Sequence, residues 1–276
     1  MWRALLISIA RLRRLRTVTS NESLTKLGYR LGRGGTHAAR TMMFDELSVL
    51  FEHTSPDTTR DAYREEVVSL NILGKPTQKS RALTFRHLAE LYGLDPAIPV
   101  FRVFRKLWAL DEAARPLLAL MLALVRDPLL QLSEAFVLAK AEGESVRREE
   151  VEEFIAASEP DRFSAASLKS ISQNINGSWT QAGFMVGKVR KVRTAPKVTP
   201  TNITYALFLS HLEGLTGQRL FSSRWMTLLC SSPGELEALA NSASHRGQIV
   251  FLNAGGVKEV RFPGFLTAEE EQWLHE

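Results

Sequence analysis

The chain has 276 residues, 45% of them hydrophobic and 24% charged, a globular composition long enough for one large domain or two small ones. Its single cysteine, Cys230, excludes an internal disulfide; the apolar pattern around it predicts a buried free thiol in a reducing cytoplasm. The formal charge of +5 is uneven: residues 1–40 carry nine Lys/Arg against the lone acid Glu22, so only local charge patterns speak about partners of the body.

The N-terminal stretch opens with a short apolar run, residues 4–10, too short to span a bilayer and followed by its arginines instead of preceded by them. Trp2, Leu5, Ile9 and Leu12 share one face of a possible basic amphipathic helix. The Arg/Gly/Ser/Thr-rich composition instead predicts a disordered arm over residues 1–35, or a translation start near Met42 or Met43, with the compact fold beginning near Thr36.

Thr36 is the expected N-cap of a first helix carrying Met43, Leu47, Leu50 and Phe51, and Ser55-Pro56 opens a second that ends near Asn71 and Gly74. Thr77 caps a third, with Leu83, Leu88 and Leu91 for the core and Gln78, Lys79, Arg81 and Arg86 clustered in its first half. With Lys75 in the preceding turn, this pair has the pattern of a helix-turn-helix reader. Helices follow over residues 98–110, 111–126 (N-cap Asp111) and 127–140 (N-cap Asp127, then Pro128). The second of these is apolar nearly all round and should be the central core helix of the N-terminal half.

Between Glu134 and Asp161 lie nine acids, a solvated face and not a metal site, because consecutive acids on a helix diverge and no histidine accompanies them. The next 51 residues, 162–212, reverse the sign: Arg162, Lys169, Lys188, Arg190, Lys191, Arg193 and Lys197 occur with no Asp or Glu. The pattern predicts a helix over residues 164–175 bearing Lys169 and Gln173, closed at Asn176-Gly177. A β-prone basic segment then runs to Pro196. A polar helix followed by a basic wing suits a winged-helix arrangement, and the absence of carboxylates leaves nothing to repel phosphates. The competing account makes this segment the basic partner of the acidic helix before it.

Beyond Pro200 the pattern gives helices over residues 200–214, 222–230 and 232–246, then a hairpin with strands at residues 248–252 and 257–262. This is winged-helix order again, but Glu235 and Glu237 make its third helix a poor phosphate binder.

Several segments together, Asn71-Ile72-Leu73-Gly74-Lys75-Pro76-Thr77, Leu107-Trp108, Arg126-Asp127-Pro128-Leu129, Gly177-Ser178-Trp179-Thr180-Gln181 and Arg246-Gly247, resemble the BrxA family of bacteriophage exclusion (BREX) defence systems. The likeness spans about residues 36–265 and is one of overall layout. It implies an all-helical, wing-bearing, nucleic-acid-binding accessory protein without catalysis of its own, encoded beside larger defence components.

Enzyme signatures fail on inspection. Gly74-Lys75-Pro76-Thr77 lacks the upstream glycine of a phosphate loop, with Ser69 in its place, and Gly32-Arg33-Gly34-Gly35 follows no strand. Ser23-Leu24-Thr25-Lys26 has serine–lysine spacing without partner motifs, and the six histidines show no metal-ligand spacing. The expectation is a mostly α protein with helix-turn-helix or winged-helix-like units and one or two small hairpins. It is divided into an arm (1–35), an N-terminal helical domain (36–143), a C-terminal winged-helix-like domain (144–265) and a terminal helix (266–276). The expected partner is duplex DNA and, through the resemblance, other defence proteins; no catalytic residue, metal or cofactor is expected. The alternative is an interaction module docking an acidic protein or RNA.

Overall fold

The computed structural model describes residues 19–275, so the amphipathic pattern through Trp2 and Leu12 lies outside it. Among those residues helices dominate, and strands are confined to two small antiparallel sheets, the mostly α architecture expected.

The fold starts earlier than Thr36. Helix α1 (Asn21–Leu27), capped by Ser20, buries Leu24 and Leu27, and Tyr29 follows them into the core. Residues 19–35 are therefore not all arm: three large apolar side chains outweigh the Gly/Arg composition around them. Thr36 caps no long helix. It opens a single 3-10 turn (Thr36–Ala38), and its hydroxyl donates to Glu90 Oε2 at 3.0 Å. Helix α2 (Phe44–Glu52) begins after Met43, which takes a left-handed conformation.

Thr59, not Ser55, caps α3 (Arg60–Arg64), which continues as a π turn (Glu65–Ser69). Helix α4 (Gln78–Tyr92) starts at Thr77 as expected, closed by reciprocal hydrogen bonds with Ser80. Next come α5 (Pro99–Leu110), a 3-10 turn capped by Asp111, α6 (Arg115–Arg126) and α7 (Pro128–Leu138). Every residue of α6 from Leu117 to Arg126 is buried, at roughly 1.5–3 kcal/mol for each large aliphatic side chain.

After Gly143 the chain forms β1 (Ser145–Val146), α8 (Arg148–Ser158), α9 (Ala165–Gln181), β2 (Met185–Val186) and β3 (Lys191–Arg193). The strands pair in the order β1-β3-β2, both pairings antiparallel. Helix α9 overruns Asn176-Gly177 by a full turn. Gly177 sits where a Cβ would lie 2.9 Å from Thr41 Cγ2, and Trp179 is fully buried, so packing overrides a local stop signal.

A second buried helix, α10 (Pro200–Leu212), packs on α5 and α6 and is followed by a 3-10 turn (Gly217–Ser222), α11 (Arg224–Leu228) and α12 (Pro233–His245). The hairpin β4 (Val250–Ala254) and β5 (Val257–Arg261) and a short α13 (Ala268–Gln272) end the described chain. One buried apolar cluster runs from Leu24 to Phe265, so the boundary expected at residue 143 does not divide the core. Cys230 is exposed and left-handed just past α11, not buried within a helix; its Sγ lies 3.2 Å from Arg193 Nη2.

Candidate nucleic-acid interface

The unit α7-β1-α8-α9-β2-β3 has the connectivity of a winged helix: a helix, a short strand, two helices and a two-stranded wing whose return strand pairs the first. Helix α9 stands in the recognition position. Ser164 caps it by accepting from Ser167 N, and its first turns expose Ala165, Ala166, Ser167, Lys169, Ser170 and Gln173. Its second half turns inward through Ile171, Ile175, Ser178 and Trp179. Trp179 Nε1 donates to Ser133 Oγ of α7 at 2.8 Å, and its ring meets Phe184 edge-on at 4.8 Å, fixing α9 against α7 and the base of the wing.

The wing turns through residues 187–190. Gly187, at φ +100°, allows the turn: a Cβ there would lie 2.1 Å from Arg190 O. Lys188, Val189 and Arg190 are exposed, Val189 completely, and Lys197 is exposed beyond β3. Among the described residues Lys169, Lys188, Arg190 and Lys197 form no ion pair. Most of the acids around α8 are paired by cations outside the acid-free stretch. Lys140 holds Glu144 and Glu150, Arg147 faces Glu150, Arg148 holds Glu149 and Glu152, and Arg162 holds Glu159. Of the acid-free stretch only Arg162 serves as partner to that helix, so pairing with the acids does not explain the rest.

Two wing residues fall out of the basic surface. Arg193 is 4% exposed, with its guanidinium donating to the carbonyls of Val137, Phe184 and Thr194 and lying 5.1 Å over the Phe184 ring. It joins α7 to β3, because one face of a three-residue strand packs on the core whatever its side chains. Lys191 is half-buried and donates to Gly187 O at 3.0 Å, and burial lowers its ammonium below the ordinary lysine value.

The N-terminal helix pair is a weaker candidate. Its turn, residues 70–77, is about twice the usual three or four residues of a helix-turn-helix. Lys75 Nζ pairs with Glu46 at 3.0 Å, and Arg81 is half-buried with Nε donating to Lys75 O. Gln78, Lys79 and Arg86 remain exposed.

One arrangement has no sequence signature. His37 Nδ1 lies 2.9 Å from Asp127 Oδ2, and His37 Nε2 lies 2.8 Å from Ser178 Oγ, which also accepts from Met42 N. Burial raises the Asp127 carboxyl, but His37 and backbone N–H groups outweigh it and hold the carboxyl below its ordinary value. The acid–histidine–serine order imitates a hydrolase triad, yet all three side chains are 0–1% exposed, so no substrate reaches the hydroxyl. Its effect is positional: Asp127 caps α7, Ser178 lies on α9, and the segment through His37 clasps both, helped by Asn174 Nδ2 donating to His37 O. Gly35 permits the approach, since a Cβ would stand 2.0 Å from Asp127 Oδ1. Exposed Arg40 follows the 3-10 turn that packs on α9.

Among the described residues no group of His, Cys, Asp or Glu is placed to hold a metal, and no single helix is long and apolar enough to cross a membrane. No protein-family model and no curated protein matches the chain.

Proposed function

We propose that the protein is a non-catalytic DNA-binding accessory protein of a prokaryotic phage-defence system, as its resemblance to the BrxA family implies. It grips duplex phosphates through the exposed start of α9 and the tip of the wing. The observation that carries this reading is the set of solvent-exposed, ion-pair-free cations Lys169, Lys188, Arg190 and Lys197 on one winged-helix unit that lacks acids from residue 162 onward. A set of exposed cations left without carboxylates keeps its full attraction for phosphate. The N-terminal end of α9 adds donors and a positive helix end, with the polar Ser167, Ser170 and Gln173 beside Lys169.

The test is fluorescence anisotropy of a generic duplex at increasing salt. About four phosphate contacts give a slope near −4 in log affinity against log salt, and roughly a hundredfold weakening between 50 and 200 mM. Absence of duplex binding at 50 mM, or binding indifferent to salt, overturns the reading and leaves an acidic protein partner as the better account of this surface.

A further inference from the structure

A second concentration of positive charge lies where α4 and α6 both end, on residues outside the exposed start of α9 and the wing. Arg30, Arg60, Arg86 and Arg126 line one pocket of about 390 Å³ together with Phe85, Ala89 and Glu90, a size within the range of small-molecule sites. The arginines come from four places in the chain: the segment after α1, the start of α3, α4 itself, and the last residue of α6. Nothing in the sequence marks them as a group.

Part of this gathering is structural. Arg126 is buried and donates to the carbonyls of Gly28, Ala89 and Glu90, Arg30 donates to Glu90 O, and Arg60 donates to Gly93 O. Cations are favoured at the carbonyl ends of helices. The balance does not close, however. Two helix ends supply about one negative charge between them and Glu90 a second, against four guanidiniums, which leaves roughly two positive charges uncompensated. Glu90 is also occupied, accepting from Thr36. Among the described residues none of the four arginines has a carboxylate ion pair. Burial first, and then the nearby Arg30 and Arg60, lower the Arg126 guanidinium to about 10. Arg30 and Arg60 each use one of five N–H donors on the fold and Arg86 uses none, so most of three forks is open to a ligand.

We propose that this pocket binds a phosphate group, carried either by a small soluble phosphate ester or by a nucleic-acid backbone. Arg126 forms its fixed floor, Arg30, Arg60 and Arg86 are the movable donors, and Phe85 supplies an apolar wall. None of its lining residues belongs to the exposed start of α9 or to the wing tip, so each set can be altered without touching the other.

Isothermal titration with inorganic pyrophosphate at low ionic strength tests the proposal on the full chain. Saturable binding is expected, weakened at least tenfold in the double variant Arg60→Gln/Arg86→Gln and unchanged within twofold in Lys188→Ala/Arg190→Ala. Arg86→Gln alone, at a side chain with no hydrogen bond to the fold, should weaken binding about threefold and guards against misfolding of the double variant. Absence of saturable binding, or equal binding by wild type and both arginine variants, overturns the site. Duplex affinity measured with and without saturating pyrophosphate then distinguishes the source. An unchanged value identifies a soluble ligand, and a tenfold loss identifies a backbone phosphate, both outcomes supporting a phosphate site. Because pyrophosphate is the probe, failure of duplex binding leaves this result standing, and the reverse holds too.

Discussion

The molecule contains two units of three helices followed by a hairpin, and they differ in what their cations do. In α7–β3 the wing tip carries Lys188 and Arg190 with no carboxylate in reach. In α10–β5 the hairpin cations are consumed: Lys258 Nζ pairs with Glu237 of α12 and lies 4.6 Å over Phe221, and Arg261 pairs with Glu259 two residues away at 2.6 Å. The second hairpin presents Leu252 and Val257 to solvent instead. The contrast teaches that shared connectivity does not fix surface charge: a hairpin's cations stay unpaired only where no carboxylate lies within reach of them.

The largest effect should come from the clasp that only the first unit possesses. Asp127→Ala leaves His37 and the N-terminus of α7 without their buried partner and is expected to cost about 3–5 kcal/mol in urea unfolding; a loss under about 1 kcal/mol would mean the clasp is idle. Since the folded Asp127 carboxyl lies below its unfolded value, its contribution is complete above about pH 4 and is lost as pH falls through the folded value. Asp127→Asn should therefore flatten the acid limb of the stability profile.

Next in size is the contrast inside the wing. Arg193→Ala removes the buried guanidinium that joins the carbonyls of Val137, Phe184 and Thr194 and should lower stability by about 2–4 kcal/mol while leaving duplex affinity of the folded protein within twofold. Arg190→Ala should do the opposite. A comparable loss of affinity in both would return Arg193 to the binding surface.

Replacing Lys169, Lys188, Arg190 and Lys197 together by alanine should weaken duplex binding about a hundredfold, near 2.7 kcal/mol, and reduce the salt slope by roughly 3 to 4. The smallest effect belongs to the second hairpin. Lys258→Ala/Arg261→Ala should change duplex affinity less than twofold, whereas Glu237→Gln/Glu259→Gln should raise it two- to threefold by releasing those cations. A large loss in the first of these would remove the distinction between the units.

Local chemistry was readable where it is self-contained. Thr77 and Asp127 cap the helices expected of them, and Asp111 caps the 3-10 turn that leads into α6, because a side-chain oxygen and an N–H two or three residues on need no distant partner. Thr36 and Ser55 carry the same signal without capping their helices, since Thr36 is drawn to Glu90 and the chain reaches Thr59 before it coils. The exposed start of α9 and the wing tip were likewise legible from charge sign alone. Lys75, Lys191 and Arg193 were not separable from them, because basic composition does not reveal which side chain faces a carbonyl or a glutamate.

The sequence by itself determined the mostly α architecture, the winged-helix order of elements and the acid-free stretch. These follow from periodicity, caps and charge along neighbouring residues. Only the tertiary structure decided which cations stay free, that α1 belongs to the packed fold, that His37, Asp127 and Ser178 meet, and that four arginines converge at two helix ends. Residues separated by scores of positions share no local pattern, and their partnership is set by packing.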